Sequence, residues 1–183
     1  MPRFTWLFLL IVVGCATPIP LPKDYSTQKS ILLPFKVNAV VIKDLRTDTT
    51  SAKMDLPVLV AKSSEWIKSP LLSGDVRAEI KEMIHTSSYS NGVLADVTVS
   101  ITKGYYRIYG NAWEVGEYTF FECRINYLSK ESGESWSVIS NSYNDYSGVF
   151  NATEKHASAS YNITVRNAVF KALKESERIF NQE

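Results

Sequence analysis

The chain reads as an α/β protein of the α+β kind: a single sheet of about four to five mostly antiparallel strands, with two helices packed on one face. Three observations predict it. Residues 75–86 and 154–180 carry apolar side chains at helical spacing with charged residues between them. Residues 93–102 alternate apolar and polar side chains, the pattern of a half-buried antiparallel strand. The order of elements is strand, helix, three strands, helix, which suits helices laid over one sheet.

The elements follow in order. Residues 1–14 read as a lipoprotein signal peptide. Arg3 and the amino terminus make a positive start, and residues 6–13 are an unbroken apolar run. A membrane-spanning helix needs about 20 apolar residues, so this run has the length of an export signal instead. It closes on Val12-Val13-Gly14-Cys15, which resembles the bacterial lipobox: an aliphatic residue, a tolerant position, a small residue, then Cys. The resemblance implies cleavage between Gly14 and Cys15. It also implies a diacylglyceryl group on the Cys15 thiol and an acyl chain on the new amine. Two or more chains hold a protein stably on a membrane where one does not. Ala16 follows the cysteine where an Asp would retain such lipoproteins in the inner membrane. That implies a lipid-anchored protein on the periplasmic face of the outer membrane.

Residues 15–34 form a lipidated, Pro-rich tether. Pro18, Pro20 and Pro22 fix φ and remove amide donors, which favours an extended chain. Residues 35–183 make a single domain. In it, 35–44 (FKVNAVVIKD) is a buried strand and 45–53 a polar turn. Residues 56–61 (LPVLVA) are a second short strand that Pro57 confines to an edge, and 63–72 are irregular. Helix 75–86 is capped by Ser73 or Asp75, and turn residues 87–92 end it. Strand 93–102 continues with aromatics in 105–113 (YYRIYGNAW), broken by Gly104 and Gly110. Strand 117–128 places Phe121, Cys123, Ile125 and Tyr127 on one face; the loop 129–134 (SKESGE) turns it into strand 135–146. Helix 154–180 buries a stripe from Tyr161 through Val165, Val169 and Leu173 to Phe180.

Composition narrows the function. The 183 residues hold 20 Lys+Arg against 19 Asp+Glu, too balanced for a nucleic-acid binder. Two cysteines allow one disulfide at most, and lipid on Cys15 removes even that. His85 and His156 lack a Cys, carboxylate or second His at ligand spacing, so no metal and no cofactor is expected. Cys123 shares a face with apolar residues and reads as a small buried hydrophobe. No G-x-S-x-G elbow and no phosphate-binding glycine loop occurs. Glu114, Glu117 and Glu122 read as solvated strand positions. A non-enzyme is expected. The aromatic density around Tyr106 and Trp113 is a candidate binding surface, beside the reading that it forms a core under the helices.

Several of these segments together resemble the YajG-like bacterial lipoproteins. They are the lipobox, the segment Asp44-Leu45-Arg46-Thr47-Asp48 after the first strand, the aromatic strand region and the Asn/Ala-rich final helix. The stretches 141–144 (NSYN) and 148–153 (GVFNAT) are similar to that family's entry into its last helix. The resemblance implies a small outer-membrane lipoprotein without catalytic residues. In it Asp44, Arg46 and Asp48 tie a turn by charge-assisted hydrogen bonds, or meet a partner. The architecture is also similar to auxiliary lipoproteins of ABC transport systems and to periplasmic domains of secretion lipoproteins. The expected function is a non-catalytic envelope lipoprotein that binds or scaffolds an envelope protein partner. The alternative is a ligand-binding accessory of a transport system.

Overall fold

The structure, a computed structural model, describes residues 20–27, 30–56, 64–110, 115–148 and 153–181. Its elements are β1 (Leu33–Asp44), β2 (Ser64–Lys68), α1 (Gly74–Thr86), β3 (Ser88–Gly110), β4 (Val115–Ser129), β5 (Ser135–Gly148) and α2 (Glu154–Phe180). The sheet runs β1-β3-β4-β5, and β2 pairs with the far end of β3. β2, β4 and β5 join antiparallel; β1 runs parallel to β3, with α1 in the connection. The expected five-stranded, mostly antiparallel α+β sheet is present.

Three expectations about the strands change. Residues 63–72 were expected to be irregular, yet Ser64–Lys68 pairs with Gly110–Tyr106 as β2. Residues 87–92 were expected to be a turn, yet β3 begins at Ser88 because Ser87 already closes α1. The two stretches expected around Gly104 are one strand of 23 residues. Gly104 does not break it; it stands where other side chains press on the backbone. The expected strand 56–61 lies almost wholly outside the described residues.

Alternation builds the core. On β4, Glu117, Thr119, Phe121, Cys123, Ile125 and Tyr127 are all fully buried. On β3, Ala95, Val97, Val99 and Ile101 are buried, and then Tyr106 and Ile108. The buried parity switches from odd to even across a register irregularity between Ile101 and Lys103. One extra residue in a strand turns every later side chain to the other face. The helices close this face. Val76, Ile80 and Ile84 of α1 join Tyr161, Val165, Val169 and Leu173 of α2 in one cluster with the strands. Burying each large apolar side chain contributes about 1.5–3 kcal/mol. Polar partners seat α2 on the sheet: Tyr127 Oη donates to Ser176 Oγ at 2.9 Å, and Thr119 and Thr164 hydroxyls lie 2.8 Å apart.

Of residues 15–34, expected to form a Pro-rich tether, residues 23–25 are held against α2. Asn167 accepts from the Tyr25 N–H and donates to the Lys23 carbonyl, both at 2.8 Å. Arg166 donates to Asp24 Oδ2 at 2.9 and 3.1 Å. A side-chain amide carries both an N–H donor group and a carbonyl acceptor, which suits it to grip a passing backbone.

The parallel β1–β3 seam also needs Gly92. A Cβ there would overlap the Pro34 carbonyl of β1. Gly92→Ala should therefore destabilise the protein by about 1–3 kcal/mol in urea unfolding. Unchanged stability would mean that β1 is not seated so closely.

Candidate functional site

The segment after β1 folds around one buried guanidinium. Arg46 Nε and Nη2 donate to the two carboxylate oxygens of Asp44 at 2.8 and 2.6 Å. Nη1 donates to the Gly104 carbonyl at 2.9 Å and to Tyr161 Oη at 3.2 Å; Nη2 also donates to the Pro70 carbonyl at 3.1 Å. The Arg46 side chain is 2% exposed and that of Asp44 11%. Four pieces of chain meet there: the end of β1, β3, the loop before α1, and α2. Gly104 is required by this crowding, since a Cβ would lie 2.7 Å from Tyr161 Oη and 3.0 Å from Arg46 Nη1. Burial pushes the Asp44 carboxyl up, but the hydrogen bonds and charge of Arg46 outweigh it and hold the group below the ordinary range. Burial pushes the Tyr161 hydroxyl up to about 12, against the opposing charge of Arg46. Asp48 is exposed and lines a cleft of about 300 Å³ with Lys103 and Tyr105. The structure thus joins Asp44 and Arg46 and leaves Asp48 apart.

A second polar group lies inside the fold. Glu117 is fully buried, accepts from Tyr106 Oη at 2.9 Å, and has His156 Nε2 at 3.1 Å from the same oxygen. Burial, then the Glu117 charge, raises the Tyr106 hydroxyl. Thr153 caps α2 by accepting from the His156 N–H at 3.1 Å, which sets the imidazole in the first turn over β4. This corrects the reading of Glu117 as solvated. Its odd number, shared with Phe121, Cys123 and Ile125, is the sequence signal that assigns it to the core face. Tyr106, a candidate for partner contact, is fully buried here and offers no surface. Cys123 is buried as expected, and burial pushes its thiol up to about 12.

The other face of the sheet is open and aromatic. Tyr105 of β3 stacks near Phe120 and Tyr118 of β4, with ring centroids 5.5 and 5.9 Å apart. Tyr118 stacks on Tyr143 of β5 at 6.3 Å. Tyr143 is 64% exposed. The result is a ladder of rings across three strands, on the side away from both helices. Aromatic rings with polar tips suit a surface that meets another molecule. The candidate Trp113, and Gly14 and Cys15 with the whole signal segment, lie outside the described residues. No helix among the described residues is long and apolar enough to cross a membrane.

No protein-family model and no curated protein sequence matches the chain. Among solved structures it is similar to a Xanthomonas campestris protein of the DUF330 family model, with 7% identity and a TM-score of 0.45, over 89% of this chain and 95% of that one. It is also similar to a Caulobacter crescentus protein whose description assigns it provisionally as a lipoprotein. That likeness has 11% identity and a TM-score of 0.29, over 58% of this chain and 75% of the other. Neither is described as YajG-like.

The buried pair makes a stability prediction. Arg46→Met leaves the Asp44 carboxylate inside without its partner and should lose about 3–5 kcal/mol at neutral pH. Combined with Asp44→Asn, the loss should shrink, because no unpaired charge remains. The lowered Asp44 carboxyl supplies stability that is present above its unfolded value, about 3.9, and is lost as pH falls through the folded one. The acid limb of the stability curve should accordingly flatten in the double variant. Equal losses in the single and double variants would show that the charge is not what matters.

Proposed function

We propose that this protein is a lipid-anchored component of the bacterial envelope that binds another envelope molecule and carries out no catalysis. The open-face ladder of Tyr105, Tyr118, Phe120 and Tyr143 carries the binding part of this reading. A sheet buried by helices on one face needs no aromatic residues on the other for its own core. Here the rings are spread over three strands in contact with one another. The lipobox-like Val12-Val13-Gly14-Cys15 supports the anchor, and Ala16 supports delivery to the outer membrane. The polar groups inside the fold support a structural role for themselves. Glu117 is enclosed between strand and helix, and Arg46 is spent on backbone carbonyls and Asp44. A transport-accessory role is the narrower form of the same reading, with the ladder as the contact surface.

Two measurements check it. Cells fed a palmitate analogue should label the wild-type chain and not Cys15→Ala; label on the variant refutes the anchor. Cross-linking of intact cells should give adducts with the wild type that are lost in a Tyr118→Ser, Tyr143→Ser variant of unchanged melting temperature. Persistence of the adducts would mean that the open face is not the binding surface.

A further inference from the structure

Among the described residues the run β1-β3-β4-β5 ends in two outer strands, β1 and β5, and they are finished differently. β1 carries Pro34, Lys36 and Lys43, and its register against β3 is irregular between Leu33 and Phe35 and between Val37 and Ala39. Proline, lysine and bulges are the devices that keep an edge strand from pairing with foreign chains. β5 has none of them. Ser135–Gly148 contains no proline and no lysine, its one charged residue is Asp145, and its register against β4 is unbroken. Among the described residues no strand pairs with its outer side.

Residues of an antiparallel pair turn their backbone groups alternately toward the partner and away from it. Asn141 is one that turns away: its carbonyl accepts from Lys171 Nζ of α2 at 3.4 Å. Ile139 and Tyr143, two residues to either side, share that outward row. Their side chains stand on the open face, 55% and 64% exposed. On the opposite side the edge borders α2 across a cleft of about 600 Å³, lined by Ser140, Lys171, Lys174, Glu175 and Arg178 among others. The carboxylates there are engaged, Glu175 by Arg178 and Glu177 by the Leu32 N–H. Lys171 and Lys174 give the cleft its cationic character.

We propose that the β5 edge receives an extended segment of a partner protein as an added strand, and that acidic and apolar side chains alternate along that segment. Its backbone bonds the outward groups of Ile139, Asn141 and Tyr143. Every second side chain falls on the open face, against Ile139 and Tyr143, and is apolar. The rest fall on the α2 side, where carboxylates meet Lys171 and Lys174. A second copy of this chain is the poorer occupant, because two-fold pairing centred on Asn141 brings two Lys171 ammonium groups together. This inference rests on the binding role proposed above and moves it from the face of the sheet to its edge.

The probe is a synthetic peptide of alternating glutamate and isoleucine, added to the full-length chain in detergent. Amide exchange at Ile139, Asn141 and Tyr143 should slow, and a peptide of the same composition in block order should leave it unchanged. Lysine in place of glutamate should weaken binding by about tenfold. Asn141→Pro removes one outward N–H without touching the β4 ladder and should abolish binding at unchanged melting temperature. Lys171→Glu, an exposed change on α2, should reverse the preference between the acidic and basic peptides, and it decides the matter if the proline disturbs β5. The proposal is overturned if the acidic peptide does not bind, if the block peptide binds equally, or if Lys171→Glu leaves the preference as it was. Dimers in sedimentation that Asn141→Pro dissociates would also overturn it, in favour of a second copy. Binding retained in Tyr118→Ser and lost in Asn141→Pro separates the edge from the ladder, so either reading can fail alone.

Discussion

A buried guanidinium holds this fold together. Arg46 has five N–H groups in a rigid fork and no way to lose its charge, so burying it demands acceptors on several sides at once. The chain supplies them from Asp44, Gly104, Pro70 and Tyr161. Meeting that demand sets the end of β1, the middle of β3, the loop before α1 and the third turn of α2 in fixed relation. A hydrophobic cluster of the same size is non-directional and would tolerate sliding. The charge network does not, because an unmet donor inside the protein costs about 1–3 kcal/mol.

The same network explains why the middle of β3 is unusual. Gly104 lets Arg46 and Tyr161 reach the backbone, and just before it the strand takes up one irregular residue. The consequence reaches both faces. Past the irregularity Tyr106 turns inward to Glu117 and Tyr105 turns outward to Phe120 and Tyr118. The place of Tyr106 in the inner polar cluster and that of Tyr105 in the outer ladder are therefore two products of one local feature.

That feature also marks the boundary of what the sequence made legible. Periodicity was enough for both helices and for the burial of Ala95 to Ile101 and of Phe121 to Tyr127. Each rests on an uninterrupted local pattern. Carried past Thr102, the same alternation puts Tyr106 on the outer face, and the aromatic density around it left the contact and the core readings both open; it is core. A bulge has no residue signature strong enough to show the change of phase, and Gly104 beside it reads as a break. Glu117 was readable by its parity, and the general expectation that a glutamate is solvated overrode that signal. β2 was beyond reach, since five residues containing Ser64, Glu65 and Lys68 pair only because β3 extends to meet them. The β3 and β4 rings of the ladder were legible as aromatic density; the place of Tyr105 in it depends on the bulge, and Tyr143 of β5 lay outside that density.

The grip of α2 on Lys23, Asp24 and Tyr25 has a mechanical meaning. If Cys15 is held at a bilayer surface, eight residues of chain separate it from the grip at Lys23, and a chain of that length spans at most about 29 Å. The domain then patrols a shallow layer next to its own membrane and stays well short of any distant one. A ligand or partner must come to it within that radius. The shortness of the leash also raises the local concentration of the domain against anything embedded nearby, so that even weak contacts become sustained encounters.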